Sequence, residues 1–231
     1  MHTRQWLAGA LLLVLPLLQT TAQVAATPDK PPVETGRFRA PELVELITID
    51  ETVKLDIRYA TANNFVGRPL YTTACAFLQR PAALALRRAS QKLQKHGYGL
   101  LIFDGYRPWA VTKLFWDVTS GDQRNYVADP AKGSKHNRGC AVDLSLYDLK
   151  TGREVEMPSA YDEMTPRAWP THTGGTAESR RLRDMLRHAM EAEGFQVNQY
   201  EWWHFDYRDW RKYPILNIGF ADISPAARTG K

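Results

Sequence analysis

Residues 140–148 read CAVDLSLYD, and this alternation constrains the fold more than any other stretch of the chain. A strand sends successive side chains to opposite faces. Val142, Leu144 and Leu146 then share one face, and Asp143 and Ser145 share the other. The apolar face requires a core to pack against. An ionised Asp143 beside that core requires a partner, which a divalent metal, an arginine or a backbone cap would supply.

Other segments provide the rest of the framework. VKLDIRY (53–59) alternates and predicts a half-buried strand. Residues 60–80 are rich in turn formers and predict a loop with short elements. Pro81 opens a predicted helix, PAALALRRASQKLQKHG, with Leu84, Leu86 and Leu93 at its apolar positions and Gly97 as its stop. GLLIFDGY (99–106) predicts a buried strand ending at Asp104. A second helix starts near Pro108, a third covers 176–195, and a last strand lies around 202–208. With 231 residues, 44% of them hydrophobic, the expectation is one α+β domain. Its centre is a mainly antiparallel sheet flanked by helices. The net charge of +5 comes from scattered basic residues with no Lys/Arg run and interleaved aromatics, so no nucleic-acid partner is expected.

The first residues read MHTRQWLAGALLLVLPLLQTTAQVAATPD. Arg4 precedes an apolar run from Trp6 to Leu18 that Pro16 interrupts, which is short for a membrane span. The pattern predicts a signal peptide over 1–26, cleaved after Ala26, with Thr20-Thr21-Ala22 as a second option and an uncleaved anchor as the alternative. A Pro-rich extended lead-in over 27–40 and a catalytic domain over 41–231 follow. The expected location is periplasmic or secreted, without stable membrane insertion after cleavage. An oxidising compartment permits one disulfide between Cys75 and Cys140; two buried thiols are the other reading.

Two polar fragments stand out, SKHNRGCAVD (134–143) and EWWH (201–204). His136 and Asp143 by themselves suit a structural hydrogen bond. With His204 they supply two imidazoles and a carboxylate, the three protein ligands of a catalytic zinc site, here lying on the sheet. Glu201 is then free to act as general base. This reading requires Glu201 to sit in a turn or bulge before the strand, because in a regular strand it would face away from His204. A salt bridge to an arginine is the alternative for Glu201, and core packing for Trp202 and Trp203. A third fragment, DGYRP (104–108), lies where a buried strand meets a helix start. Arg107 there is placed either to stabilise an oxyanion or to pair with Asp104 at the junction.

These fragments together resemble the zinc D-alanyl-D-alanine dipeptidases of the D,D-peptidase metallopeptidase group. The matching segments are DIRYATANNFVGRPLY (56–71), YGLLIFDGYRP (98–108), SKHNRGCAVDLSLYDLKTG (134–152), YDEM (161–164) and EWWHF (201–205). The resemblance implies one Zn2+ on His136, Asp143 and His204, with Glu201 as base and Arg107 at the oxyanion. It further implies Asp162 at the substrate ammonium, and Ser134 and Tyr59 lining the substrate pocket. The implied reaction is hydrolysis of D-Ala-D-Ala to two D-alanines. The alternatives are a D,D-carboxypeptidase acting on longer wall peptides and a non-catalytic zinc-containing wall-binding module. Cys140 departs from the family, which more often has a small residue such as serine there. An exported enzyme does not reach the cytoplasmic dipeptide pool, so export implies salvage of D-Ala-D-Ala released during peptidoglycan turnover.

Overall fold

The alternating stretch becomes the central strand of a five-stranded sheet in a computed structural model that describes residues 29–223 and 225–228. The expected signal peptide lies outside the described residues. Residues 29–40 form no helix or strand. In chain order the elements are β1 (Leu43–Glu45), α1 (Leu46–Ile49), β2 (Lys54–Leu55), β3 (Phe77–Gln79), α2 (Arg80–Gln94), β4 (Tyr98–Asp104), α3 (Trp109–Val118), β5 (Ala141–Asp148), α4 (Ala177–Glu191), β6 (Phe195–Val197) and β7 (His204–Tyr207), with several single 3-10 turns between them. The sheet order is β2-β4-β5-β7-β6. Only the β2–β4 pair is parallel, so the sheet is mainly antiparallel as expected. A separate two-stranded piece pairs β1 with β3.

Helices α2 and α4 pack on each other, and against β4 and β5 respectively. Pro81 sits in the first turn of α2, where its missing N–H costs nothing. The buried stripe of α2 runs through Ala82, Leu86, Ala89 and Leu93, at helical spacing. Leu84, expected in that stripe, instead points outward. Thr176 caps α4 by accepting the Ser179 N–H at 3.0 Å.

All of Ala141–Tyr147 is buried, so both faces of β5 are covered. Val142, Leu144 and Leu146 belong to the main core with Leu100, Ile102 and Phe205. Leu101, Phe103 and Tyr147 form a second cluster that Tyr161 packs against. Asp143 therefore lies in a closed layer, which raises the cost of leaving it unpaired.

The strand expected over 53–59 is cut to Lys54–Leu55, and Arg58–Ala60 turn as a 3-10 helix that buries Tyr59. Cys75 and Cys140 are both free and buried, which corrects the possible bridge. They face different surroundings: Cys75 lies near Glu45 and Arg228, and Cys140 near Arg138 and Asp209. Burial pushes their thiols up, to about 11 and about 12.

Candidate metal centre and active site

Pairing of β5 with β7 puts Asp143 directly opposite His204. His136 arrives from a 3-10 turn, His136–Arg138, which Gly139 ends in a left-handed conformation at φ 63°. A side chain at Gly139 would also press against Leu43. This turn lies against the loop after β4. The Arg107 N–H donates to the His136 carbonyl at 3.1 Å, and the Asn137 amide donates to the Arg107 carbonyl at 2.9 Å. Gly105 is required there, because a Cβ would stand 2.7 Å from the Phe77 carbonyl oxygen.

Three ligand-type atoms meet as a result. His136 Nε2 lies 3.1 Å from His204 Nδ1, and Asp143 Oδ1 lies 3.3 Å from the former and 3.0 Å from the latter. A tetrahedral ion with bonds of about 2.0–2.1 Å holds its ligands about 3.3 Å apart, so the triangle has the right size for one. The far nitrogen of each ring is already engaged. His136 Nδ1 lies 2.7 Å from the Gly105 carbonyl, and His204 Nε2 lies 2.9 Å from Asp206 Oδ1. Each far nitrogen therefore carries a ring proton, so the facing nitrogens, His136 Nε2 and His204 Nδ1, are the ones a metal would use as ligands. Asp143 Oδ1 is buried and accepts no hydrogen bond. Three electron-rich atoms pointing at one spot suit a cation, and the outer partners Gly105 and Asp206 fix both rings. Lys135 holds the other Asp206 oxygen at 3.0 Å.

Without a metal, the charges in the site compensate one another. Burial would raise Asp143, but His136 and then His204 hold its carboxyl well below the usual range. Burial would lower His204, but Asp206 and Asp143 prevail and raise it to about 10.

Glu201 occupies the turn before β7, where the His204 N–H reaches the Glu201 carbonyl at 3.3 Å. This turn brings Glu201 and His204 to the same side, as the site requires. Glu201 Oε2 lies 3.8 Å from His204 Nδ1 and accepts from the Asn198 amide at 2.9 Å. Burial pushes the Glu201 carboxyl up to about 8, against the pull of His204. Arg107 is also buried and held rigidly. Its guanidinium binds Asp104 at 2.8 Å, comes within 3.5 Å of Asp143 Oδ2, and stacks 4.6 Å from the Phe115 ring centre. Arg107 pairs with Asp104, and it also lines the cavity beside the three converging residues.

A cavity of about 300 Å³ opens onto these groups, with Tyr59, Ser134 and Asp162 in its wall. Tyr59 donates to Asp162 at 3.0 Å. Asp162 is held at φ 60°, the one non-glycine residue with positive φ among the described residues. That conformation costs energy and persists where the surroundings impose it. Burial, with Asp143 adding to it, pushes the Asp162 carboxyl up to about 7. The Ser134 hydroxyl accepts the His136 N–H at 3.2 Å. Sequence reasoning missed Tyr161, whose hydroxyl donates to Asp143 Oδ2 at 3.1 Å, and Asp206, behind His204. Asp206 was within reach, because it shares a strand face with His204 two residues earlier.

Comparison with known proteins gives a consistent picture. The family model described as Peptidase M15, D-ala-D-ala dipeptidase, matches residues 39–220. The chain is 34% identical over 188 residues to a D-alanyl-D-alanine dipeptidase of Escherichia coli K12, covering 81% of this chain and 96% of that protein. It is 37% identical over 191 residues to one of Enterococcus faecalis, covering 73% and 92%. It is 33% identical over 186 residues to one of Enterococcus faecium, again covering 73% and 92%.

Proposed function

The chain belongs to the D-Ala-D-Ala dipeptidase family of M15 peptidases, and on that premise we propose that it hydrolyses D-alanyl-D-alanine to two D-alanines with Zn2+ as its metal. The observation that carries the metal reading is the buried convergence of Asp143 Oδ1 with the facing ring nitrogens of His136 and His204. His136, Asp143 and His204 would hold the ion. When bound, zinc supplies Lewis acidity toward a carbonyl and lowers the pKa of a water.

The chain's own groups do the rest. Glu201, as the carboxylate, takes a proton from the attacking water and returns it to the leaving amine. Arg107, fixed by Asp104 and Phe115, offers preorganised N–H donors to the developing oxyanion. Asp162 and Tyr59 receive the substrate ammonium, and Ser134 borders the same pocket. At about 300 Å³ the cavity is at the small end for ligand sites, which favours a dipeptide.

One observation supports a second substrate class. A groove of about 580 Å³ shares Phe65, Asp162 and Met164 with the cavity. A peptide extended beyond the amino end would run past Asp162 into it, as a D,D-carboxypeptidase needs. Turnover of D-Ala-D-Ala beside its N-acetylated form separates the two. The dipeptidase reading predicts cleavage of the free dipeptide alone, and cleavage of the blocked one at a similar rate contradicts it.

The location we propose is the periplasm or the medium, on the pattern of residues 1–26, with the dipeptide supplied by wall turnover. Among the described residues no helix is long and apolar enough to cross a membrane. N-terminal sequencing of protein from the periplasm tests this; an intact Met1 in a cytosolic fraction contradicts it.

A further inference from the structure

The turn that carries His136 also carries Arg138, whose guanidinium is buried. A buried cation requires a carboxylate. That carboxylate comes from Glu34, far away in the chain. Val33 beside it is almost fully exposed at 96%, so the segment runs along the surface and turns this one side chain inward. Both Glu34 oxygens are used: Oε1 accepts from Arg138 Nη2, and Oε2 accepts the Ile215 N–H at 2.7 Å.

The segment 213–216 backs the same turn. The Tyr213 carbonyl accepts from Arg138 Nη1, and the Leu216 N–H donates to the Asn137 carbonyl at 2.9 Å. The Ile215 side chain lies where a Cβ on Gly133 would stand. Arg138 also stacks 5.4 Å from the Trp210 ring centre, and its own carbonyl accepts from the Gln79 amide at 2.9 Å. The lead-in is pinned a second time at Arg39, whose N–H donates to the Lys212 carbonyl at 2.8 Å. Glu34 thus joins three separate pieces of chain: the lead-in, the turn bearing a ligand, and the segment behind it.

We infer that Glu34 is a positioning residue for the metal centre, acting through Arg138 to hold the His136 turn in its ligating position. Without Glu34 the guanidinium is buried unpaired, and it must turn to water or draw the turn with it. The His136 ring, held by Gly105 on one side, then loses its fixed aim. The inference rests on the metal reading proposed above.

The test is zinc affinity of the purified protein by competition with a chromophoric chelator, for the parent and for Glu34→Gln, Glu34→Ala and Glu34→Asp. Glu34→Gln keeps size and one acceptor, so it decides the matter if Glu34→Ala does not fold. Partners of ligating side chains alter metal affinity by about 10- to 100-fold, so a loss of about tenfold is expected for Glu34→Gln. Glu34→Asp, which keeps the charge, should recover part of it. KM for the free dipeptide should stay unchanged, and kcat at limiting zinc should fall and return with excess zinc. Variants that hold zinc as tightly as the parent, with only a lowered Tm, overturn the inference alone. A parent that binds no zinc overturns the metal reading and this inference with it.

Discussion

Each residue of the site is informative through what its neighbours leave it able to do. Glu201 touches no cation beyond the His204 ring, and burial raises its carboxyl to about 8, so it is not held ionised by a structural ion pair and can exchange a proton near neutral pH. Glu201→Ala should therefore keep zinc and lose about 10²- to 10⁴-fold in kcat, the usual share of a general base. Near-normal turnover in the variant would contradict the assignment. His204, raised to about 10, carries an extra proton at neutral pH in the metal-free protein. Zinc must displace it, so a titration at about pH 7 should release about one proton per site. Uptake of zinc without proton release would contradict that account. Asp162 gives a pH prediction whose sign follows from its raised pKa. A raised carboxyl favours the folded state most below its ordinary range, and that contribution is lost as the pH rises through about 7. Asp162→Asn removes the titration and suits φ 60°, so the variant should melt higher than the parent at about pH 8 while its KM for the dipeptide rises. A lower melting point at that pH would contradict the burial argument. Residue types and order made His136, Asp143, His204 and Glu201 legible in the sequence. Tyr161 was not, because nothing local to YDEM shows that its hydroxyl reaches Asp143 across the sheet face.

Elements explain why these residues converge. The β5–β7 register sets Asp143 against His204, and the turn 201–204 turns Glu201 to the same side. The junction of β4 and α3 supplies the third wall through Gly105 and Arg107. Gly105→Ala would push a Cβ to within 2.7 Å of the Phe77 backbone oxygen, which cannot yield as a flexible side chain would. The expected cost is about 1–3 kcal/mol of stability, read as a lowered Tm. Because the Gly105 carbonyl also orients His136, zinc affinity should fall with it. A variant with parental Tm and affinity would show that the junction is looser than its packing indicates. Long periodic elements were legible: α2, α4, β4 and β5 lie where their patterns put them, within a few residues. Short ones were not. β1, β3 and β6 span three residues each, too few to show a period, and their pairing depends on distant chain. The strand at 53–59 was overextended, because its alternation continues into a turn that buries Tyr59 beside the cavity.

At the scale of the whole molecule, the sheet has two different jobs. One face holds the core under α2 and α4, and the other, through Asp143 and His204, holds the site. Stability and chemistry are thereby separated across a single layer, with the aromatic rings of Tyr59, Tyr161 and Trp203 packed beside the charged groups. The most direct test of this account is D-Ala-D-Ala hydrolysis by the purified protein before and after chelation, then with zinc restored. The account predicts turnover that chelation abolishes and zinc returns. Undiminished turnover in the chelated protein, with metal removal verified by elemental analysis, would contradict it.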